Sequence, residues 1–202
     1  MEYTAIDFET AAQTKDSACA IGLVRFNAKG EVLDRYYSLI RPKHLEFDPV
    51  CTAVHQLDPL DVAAAPTLPE IWNDVRSFIG NGRPLVAHNA PFDMGVLKGS
   101  AESWGLGGIE VDYYDTLTIS RKIWPGLQSY RLTSLAADLG WTYDAHMALD
   151  DALTCGRLFQ RLCKEYLLDD HEFWRFMKKC YKDAHSGYPK HLSVVQDTMD
   201  LF

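Results

Sequence analysis

A chain of 202 residues, 47% apolar and 24% charged, has the size and balance of one main domain with room for an appendage. Its formal net charge of −8 argues against a broad basic face for duplex nucleic acid, so any nucleic-acid contact must be local. No apolar run reaches the roughly 18 residues of a membrane span, and Met1-Glu2-Tyr3-Thr4 lacks the basic start and apolar stretch of a signal peptide. A cytoplasmic protein is expected. Cys19, Cys51, Cys155, Cys163 and Cys180 form an odd set without a Cys-x-x-Cys pair, which reads as reduced, partly buried thiols.

Residues 3–9, 18–27 and 32–40 read as three strands, rich in β-branched, apolar and aromatic side chains. Asn27-Ala28-Lys29-Gly30 supplies a hairpin turn between the last two. Apolar residues at Leu68, Ile71, Trp72, Val75, Phe78 and Ile79 then fall on one helical face, which Gly80-Asn81-Gly82 stops. Residues 84–87 read as a short buried strand, and residues 92–104 as a helix weakened by Gly95 and Gly99. A strand over 109–114 follows, with short helices over 116–123 and 133–139 and a long helix over 149–168. A meander followed by alternating helices and buried strands gives a mixed α/β sheet covered on both faces. Beyond residue 168 the chain turns polar. Phe173, Trp174, Phe176 and Met177 suggest one more helix, and the last dozen residues read as a tail.

Three segments carry chemistry. In Asp7-Phe8-Glu9-Thr10 the two acids stand two apart on a strand and project from the same face. Like charges there repel, and a bound cation would relieve them. Alone the pattern is weak, because Asp-x-Glu arises by chance roughly 0.7 times in such a chain. In His88-Asn89-Ala90-Pro91-Phe92-Asp93 the proline suits a first helical turn, which sets Asp93 above the end of a buried strand. In His146-Met147-Ala148-Leu149-Asp150-Asp151 the last acid opens the long helix, with His146 in the loop or turn before it. Asp150 reads as an acid at a helix N-terminus and stays outside the set.

These segments, in this order and spacing, resemble the three motifs of the DEDDh 3′→5′ exonuclease superfamily, to which the proofreading ε subunit of bacterial DNA polymerase III, RNase T and oligoribonuclease belong. The family pattern is Asp-x-Glu-Thr, Asn-x-x-x-Asp and His-x-Ala-x-x-Asp, and no catalytic position departs from it. Val54-His55-Gln56-Leu57 sits where the family often has Ile/Val-His-Gly-Ile, with Gln56 in place of the glycine. Asp115-Thr116-Leu117 and Leu132-Thr133-Ser134-Leu135 are also similar.

The resemblance implies a ribonuclease-H-like five-stranded mixed sheet, with an exonuclease domain over residues 1–168 and a C-terminal helical extension and tail over 169–202. It implies two Mg²⁺ or Mn²⁺ ions held by Asp7, Glu9, Asp93 and Asp151, with His146 as general base, acting on nucleic acid with a single-stranded 3′ end. Phe8, Thr10, His55, Asn89 and Phe92 are the candidate substrate contacts. For Phe8 and Phe92 a core role competes evenly, and for His55 that of a satisfied loop histidine. DNA is the leading substrate, an RNA-trimming enzyme the nearest rival and a silent adaptor the rival of another class. The tail carries Gln196, Met199, Leu201 and Phe202 in a pattern that resembles a sliding-clamp-binding motif, and folding back onto the domain is the competing reading.

Overall fold

The computed structural model describes residues 1–165 and 190–194. Alternation along the first strand, β1 (Tyr3–Thr10), decides where the rest of the chain goes. Its Ile6 and Phe8 enter one apolar layer, and Tyr3 and Ala5 enter the other. Asp7 and Glu9 continue the Tyr3–Ala5 face.

On one side of β1 lie β2 (Ala18–Phe26) and β3 (Val32–Leu39), both antiparallel as the meander required. On the other side β4 (Leu85–Ala87) and β5 (Ile109–Asp115) run parallel to it. A further strand, β6 (Lys190–Val194), pairs antiparallel with β5. The order β3-β2-β1-β4-β5-β6 therefore has six strands, not the five expected. The sixth comes from the stretch assigned to the C-terminal extension. Its Leu192 and Val194 point two apart into the layer that holds Ile109 and Val111. The helix expected around residues 173–177 and the clamp-like segment 196–202 lie outside the described residues.

Seven helices are described: α1 (Pro49–His55), α2 (Pro59–Val62), α3 (Leu68–Ile79), α4 (Ala90–Ser103), α5 (Thr116–Ile123), α6 (Leu132–Asp138) and α7 (Ala148–Glu165). α3 and α4 cover the Ile6–Phe8 face, and α5, α6 and α7 cover the Tyr3–Ala5 face. The short α1 and α2 were not anticipated, although each starts on an Asp-Pro pair. Asp48 accepts the Val50 N–H, and Asp58 accepts those of Leu60 and Asp61. Gly95 and Gly99 do not break α4. The loop after β1 lies against them, and a methyl group at Gly99 would stand 2.8 Å from Lys15 Cβ.

α7 is seated on the sheet by two glycines of its own interface. A Cβ at Gly156 would meet the Phe26 ring at 2.1 Å, and one at Gly22 would meet the Ala148 carbonyl oxygen at 2.2 Å. Gly22 pairs with Asp7 across the β1–β2 ladder. The bare backbone opposite Asp7 is thus the surface on which the first turn of α7 rests. A side chain there would lift that turn away from Asp7 and Glu9. Gly22→Ala is expected to cost about 1–3 kcal/mol through overpacking, and to lower more than about tenfold any turnover that depends on Asp7 and Glu9 being held together. Chemical denaturation and a rate measurement check this, and wild-type values for both would show that α7 can shift freely.

Candidate active site

The three motif segments converge on a cavity of about 540 Å³ whose lining includes Asp7, Glu9, Asp151 and His146. β1 supplies the first two acids and the first turn of α7 supplies Asp151. Ligand atoms of Glu9, His146 and Asp151 all lie within 4.8 Å of one another, a spacing that suits a shared cation. Asp93 is 2% exposed and stands behind this front. Its Oδ1 accepts the Phe8 N–H at 3.2 Å, so α4 is tied to β1 beside Asp7.

The electrostatics reflect the crowding. Asp7 keeps part of its surface on the cavity, yet its carboxyl is held well above the usual carboxylate range. Burial is the first cause, followed by the charges of Asp93, Asp151 and Glu9. Glu9 is pushed up to about 8 by burial, then by Asp151 and Asp93. Burial also raises Asp93 and Asp151. For Asp151 the rise is opposed by two donors: Tyr143 Oη at 2.9 Å from Oδ1 and the His146 N–H at 2.6 Å from Oδ2.

His146 occupies a turn just ahead of α7, exposed, with a left-handed backbone at φ 66°. Its bond to Asp151 pins that turn. Asn89 is also left-handed, at φ 68°, and is exposed away from the cavity lining. It stands outside the lining that holds the other candidate substrate contacts, and its backbone serves the turn into α4. Asp115 Oδ1 accepts the N–H groups of Asn89, Ala90 and Leu117 at 2.9, 3.3 and 3.1 Å, and Oδ2 accepts the Thr118 hydroxyl at 2.6 Å. One buried carboxylate thus locks the segment that delivers Asp93.

Phe8, Thr10, His55 and Phe92 all line the cavity. Phe8 is buried at 3% exposure and is shared with the core, whereas Phe92 is 37% exposed at the rim. His55 Nδ1 accepts the Leu57 N–H at 3.0 Å, so Nε2 carries the proton and donates to the Thr10 carbonyl at 3.1 Å. With both nitrogens spent inside the fold, His55 offers a ligand only its ring. Gln56, where the family often has glycine, is left-handed at φ 62° and caps α1, which gives the family preference its physical reason. Lys15, Tyr143, Asp115, Gly22 and the α1 residues Val50 and Val54 escaped the sequence reading as parts of the site. Tyr143 and Lys15 stand outside the motifs. The Asp48-Pro49 helix start was the signal that could have found α1.

A mixed α/β sheet with two acids from its first strand, one from a strand–helix junction and one from a helix start is an arrangement of the ribonuclease-H-like kind. The chain belongs to the RNase T family of 3′-5′ exonucleases, whose pattern matches residues 4–159. It is 35% identical over 162 residues to the DNA polymerase III subunit epsilon of Treponema pallidum, covering 78% of this chain and 74% of that protein. It is 30% identical over 169 residues to the PolC-type DNA polymerase III of Halalkalibacterium halodurans, covering 81% of this chain and spanning only 11% of that protein. Among solved structures, exonuclease X in complex with 5′ overhanging duplex DNA superposes with a TM-score of 0.68 at 22% identity, covering 84% of this chain and 96% of that one. No helix among the described residues is long and apolar enough to cross a membrane.

The raised carboxyls fix a pH dependence. A folded acid that holds its proton more tightly than the unfolded chain stabilises the fold at low pH and loses that contribution as pH rises. For Glu9 the window runs from its ordinary 4.5 to about 8. In EDTA the melting temperature is expected to fall across this window, and to fall less in Glu9→Gln. Added Mn²⁺ is expected to reverse the loss at the alkaline end. A melting curve in EDTA that is indifferent to pH would contradict the crowding.

Proposed function

We propose that this chain removes nucleotides one at a time from the 3′ end of single-stranded DNA, releasing 5′-mononucleotides with the help of two divalent cations. The observation that carries this reading is the convergence of Asp7, Glu9 and Asp151 with His146 at a cavity whose other wall is apolar. The donor set fits hard cations: all four acids are carboxylates, each raised by burial, with Asp7 and Glu9 raised further by Asp93 and Asp151, so positive charge is wanting there. Asp7, Glu9 and Asp151 would hold Mg²⁺ or Mn²⁺ directly, with Asp93 supporting them from behind Asp7. Bound there, the cations supply charge that offsets the phosphate and the developing oxyanion.

The chain's own residues do the rest. His146 takes the proton of the attacking water, and the bond from its backbone to Asp151 holds it beside the acids. Tyr143 keeps the Asp151 carboxylate turned by its hydroxyl. Phe8, Val50, Val54 and Leu132 give the terminal sugar and base an apolar wall, with Val50 62% and Val54 44% exposed for contact, and Phe92 at the rim extends that surface toward the incoming strand. The DNA polymerase III relatives support DNA as the substrate. The same likeness supports a polymerase partner and a role in proofreading or repair.

Matched 5′-labelled single-stranded DNA and RNA in Mg²⁺ or Mn²⁺ test the reading. Stepwise loss from the 3′ end, faster on DNA and abolished by EDTA, is expected. Faster turnover of RNA would overturn the choice of substrate and leave the class intact. Asp151→Ala is expected to remove activity with the fold retained, and His146→Ala to lower the rate by ~10²–10⁴-fold. Wild-type rates for Asp151→Ala would refute the site.

A further inference from the structure

The loop between β1 and β2 crosses the mouth of the cavity and is held at both sides. On one side Gln13 Nε2 donates to Asp48 Oδ2, at the start of α1, at 2.9 Å. On the other, the Ser100 hydroxyl of α4 donates to the Lys15 carbonyl at 3.3 Å. Inside the loop Ser17 Oγ lies 2.8 Å from the carbonyl oxygens of both Ala12 and Thr14, between which its one hydrogen is shared. This rim is therefore ordered by its own hydrogen bonds.

Lys15 lies along α4 in a track that two glycines make. A Cβ at Gly99 would come within 2.8 Å of Lys15 Cβ, and one at Gly95 within 3.1 Å of Lys15 Cε. Spaced four apart, these glycines clear one face of the helix for the lysine stem. The track ends at Phe92, where the ammonium stands 4.0 Å from the ring centroid and 3.4 Å from the Phe92 carbonyl oxygen. That carbonyl is its one hydrogen-bond acceptor among the described residues, so donors remain for a ligand. Among the described residues that line the cavity, Lys15 is the only lysine or arginine. An aromatic ring and a cation stand together opposite an acidic floor.

We propose that Lys15 binds a backbone phosphate of the incoming strand, next to the scissile one, while Phe92 packs on the adjoining sugar or base. This rests on the nuclease reading above. The acids at the floor claim the scissile phosphate, and the tethered ammonium at the rim meets the next negative charge along the chain. The contact is indifferent to base identity and to the 2′-hydroxyl. It gives an acidic protein a fixed point of attraction for a polyanion where the strand enters.

Binding separates this contact from catalysis. Fluorescence anisotropy with oligothymidylate carrying hydrolysis-resistant phosphorothioate linkages, in Mn²⁺, is run over a range of salt. In Lys15→Met the plot of log affinity against log salt is expected to flatten by about 0.7, the loss of one phosphate contact on a single strand. Affinity at low salt is expected to fall about fivefold, alike for oligothymidylate and oligoadenylate, and Lys15→Arg is expected to restore the slope. In turnover, the loss on an oligonucleotide is expected in KM and to exceed the loss on a nitrophenyl ester of thymidine 5′-monophosphate, which has no neighbouring phosphate. Parallel salt plots for wild type and Lys15→Met overturn the proposal, as do equal losses on both substrates. A wild-type protein that neither binds nor cleaves the strand refutes the nuclease reading itself, and the Lys15 contact with it.

Discussion

Four carboxylates gathered at one partly buried place, where burial raises the proton affinity of each and Asp93 and Asp151 raise that of Asp7 and Glu9 further, form the constraint on which the rest of the structure depends. Burial acts against the charge of all four, and repulsion from Asp93 and Asp151 adds to it at Asp7 and Glu9, so the cluster would not hold together unaided. The fold opposes that separation from three directions. The β1 ladder fixes Asp7 and Glu9, the Phe8 N–H holds Asp93, and Tyr143 with the His146 backbone holds Asp151. The repulsion is also resisted by contacts outside the motifs, among them the seating of α7 on Gly22 and Gly156.

Much of this was legible in the sequence, for reasons that differ from element to element. The strand period set Asp7 and Glu9 on one face, and the same period makes that face continuous with Tyr3 and Ala5. The apolar face of α3 read cleanly from Leu68 to Ile79 because its stop is an unambiguous glycine pair. Tertiary contacts hid other parts. Gly95 and Gly99 look like helix breakers until Lys15 is seen lying on them. β6 is five residues long and finds its partner only through β5, some eighty positions earlier, so no local signal announces it. His55 reads by position as a candidate substrate contact or a satisfied loop histidine, and the bonds that occupy its two nitrogens appear only once Thr10 and Leu57 are placed beside it.

The site also concentrates the backbone's unusual conformations. Gln56, Asn89 and His146 are the non-glycine residues with left-handed backbones among those described. Each closes a segment that feeds the cavity: the end of α1, the turn into α4 and the turn into α7. Such conformations cost of order 1–3 kcal/mol each and persist where surrounding bonds over-determine them. Asp115 does this for Asn89, and Asp151 for His146.

The sixth strand has a meaning for the integrity of the sheet as a whole. β5 carries the junction from which Asp115 reaches across to Asn89, and β6 occupies its otherwise open flank from Ile109 to Tyr113. A chain cut after α7 would leave that flank as a row of unpaired N–H and C=O groups, with Ile109 and Val111 stripped of Leu192 and Val194. An open apolar edge of this kind is a template for pairing with another chain. By pairing with Ile109–Tyr113, a segment that lies beyond the stretch matching the family's pattern covers this edge of the sheet, so β5 keeps its partner through a contact distant along the chain.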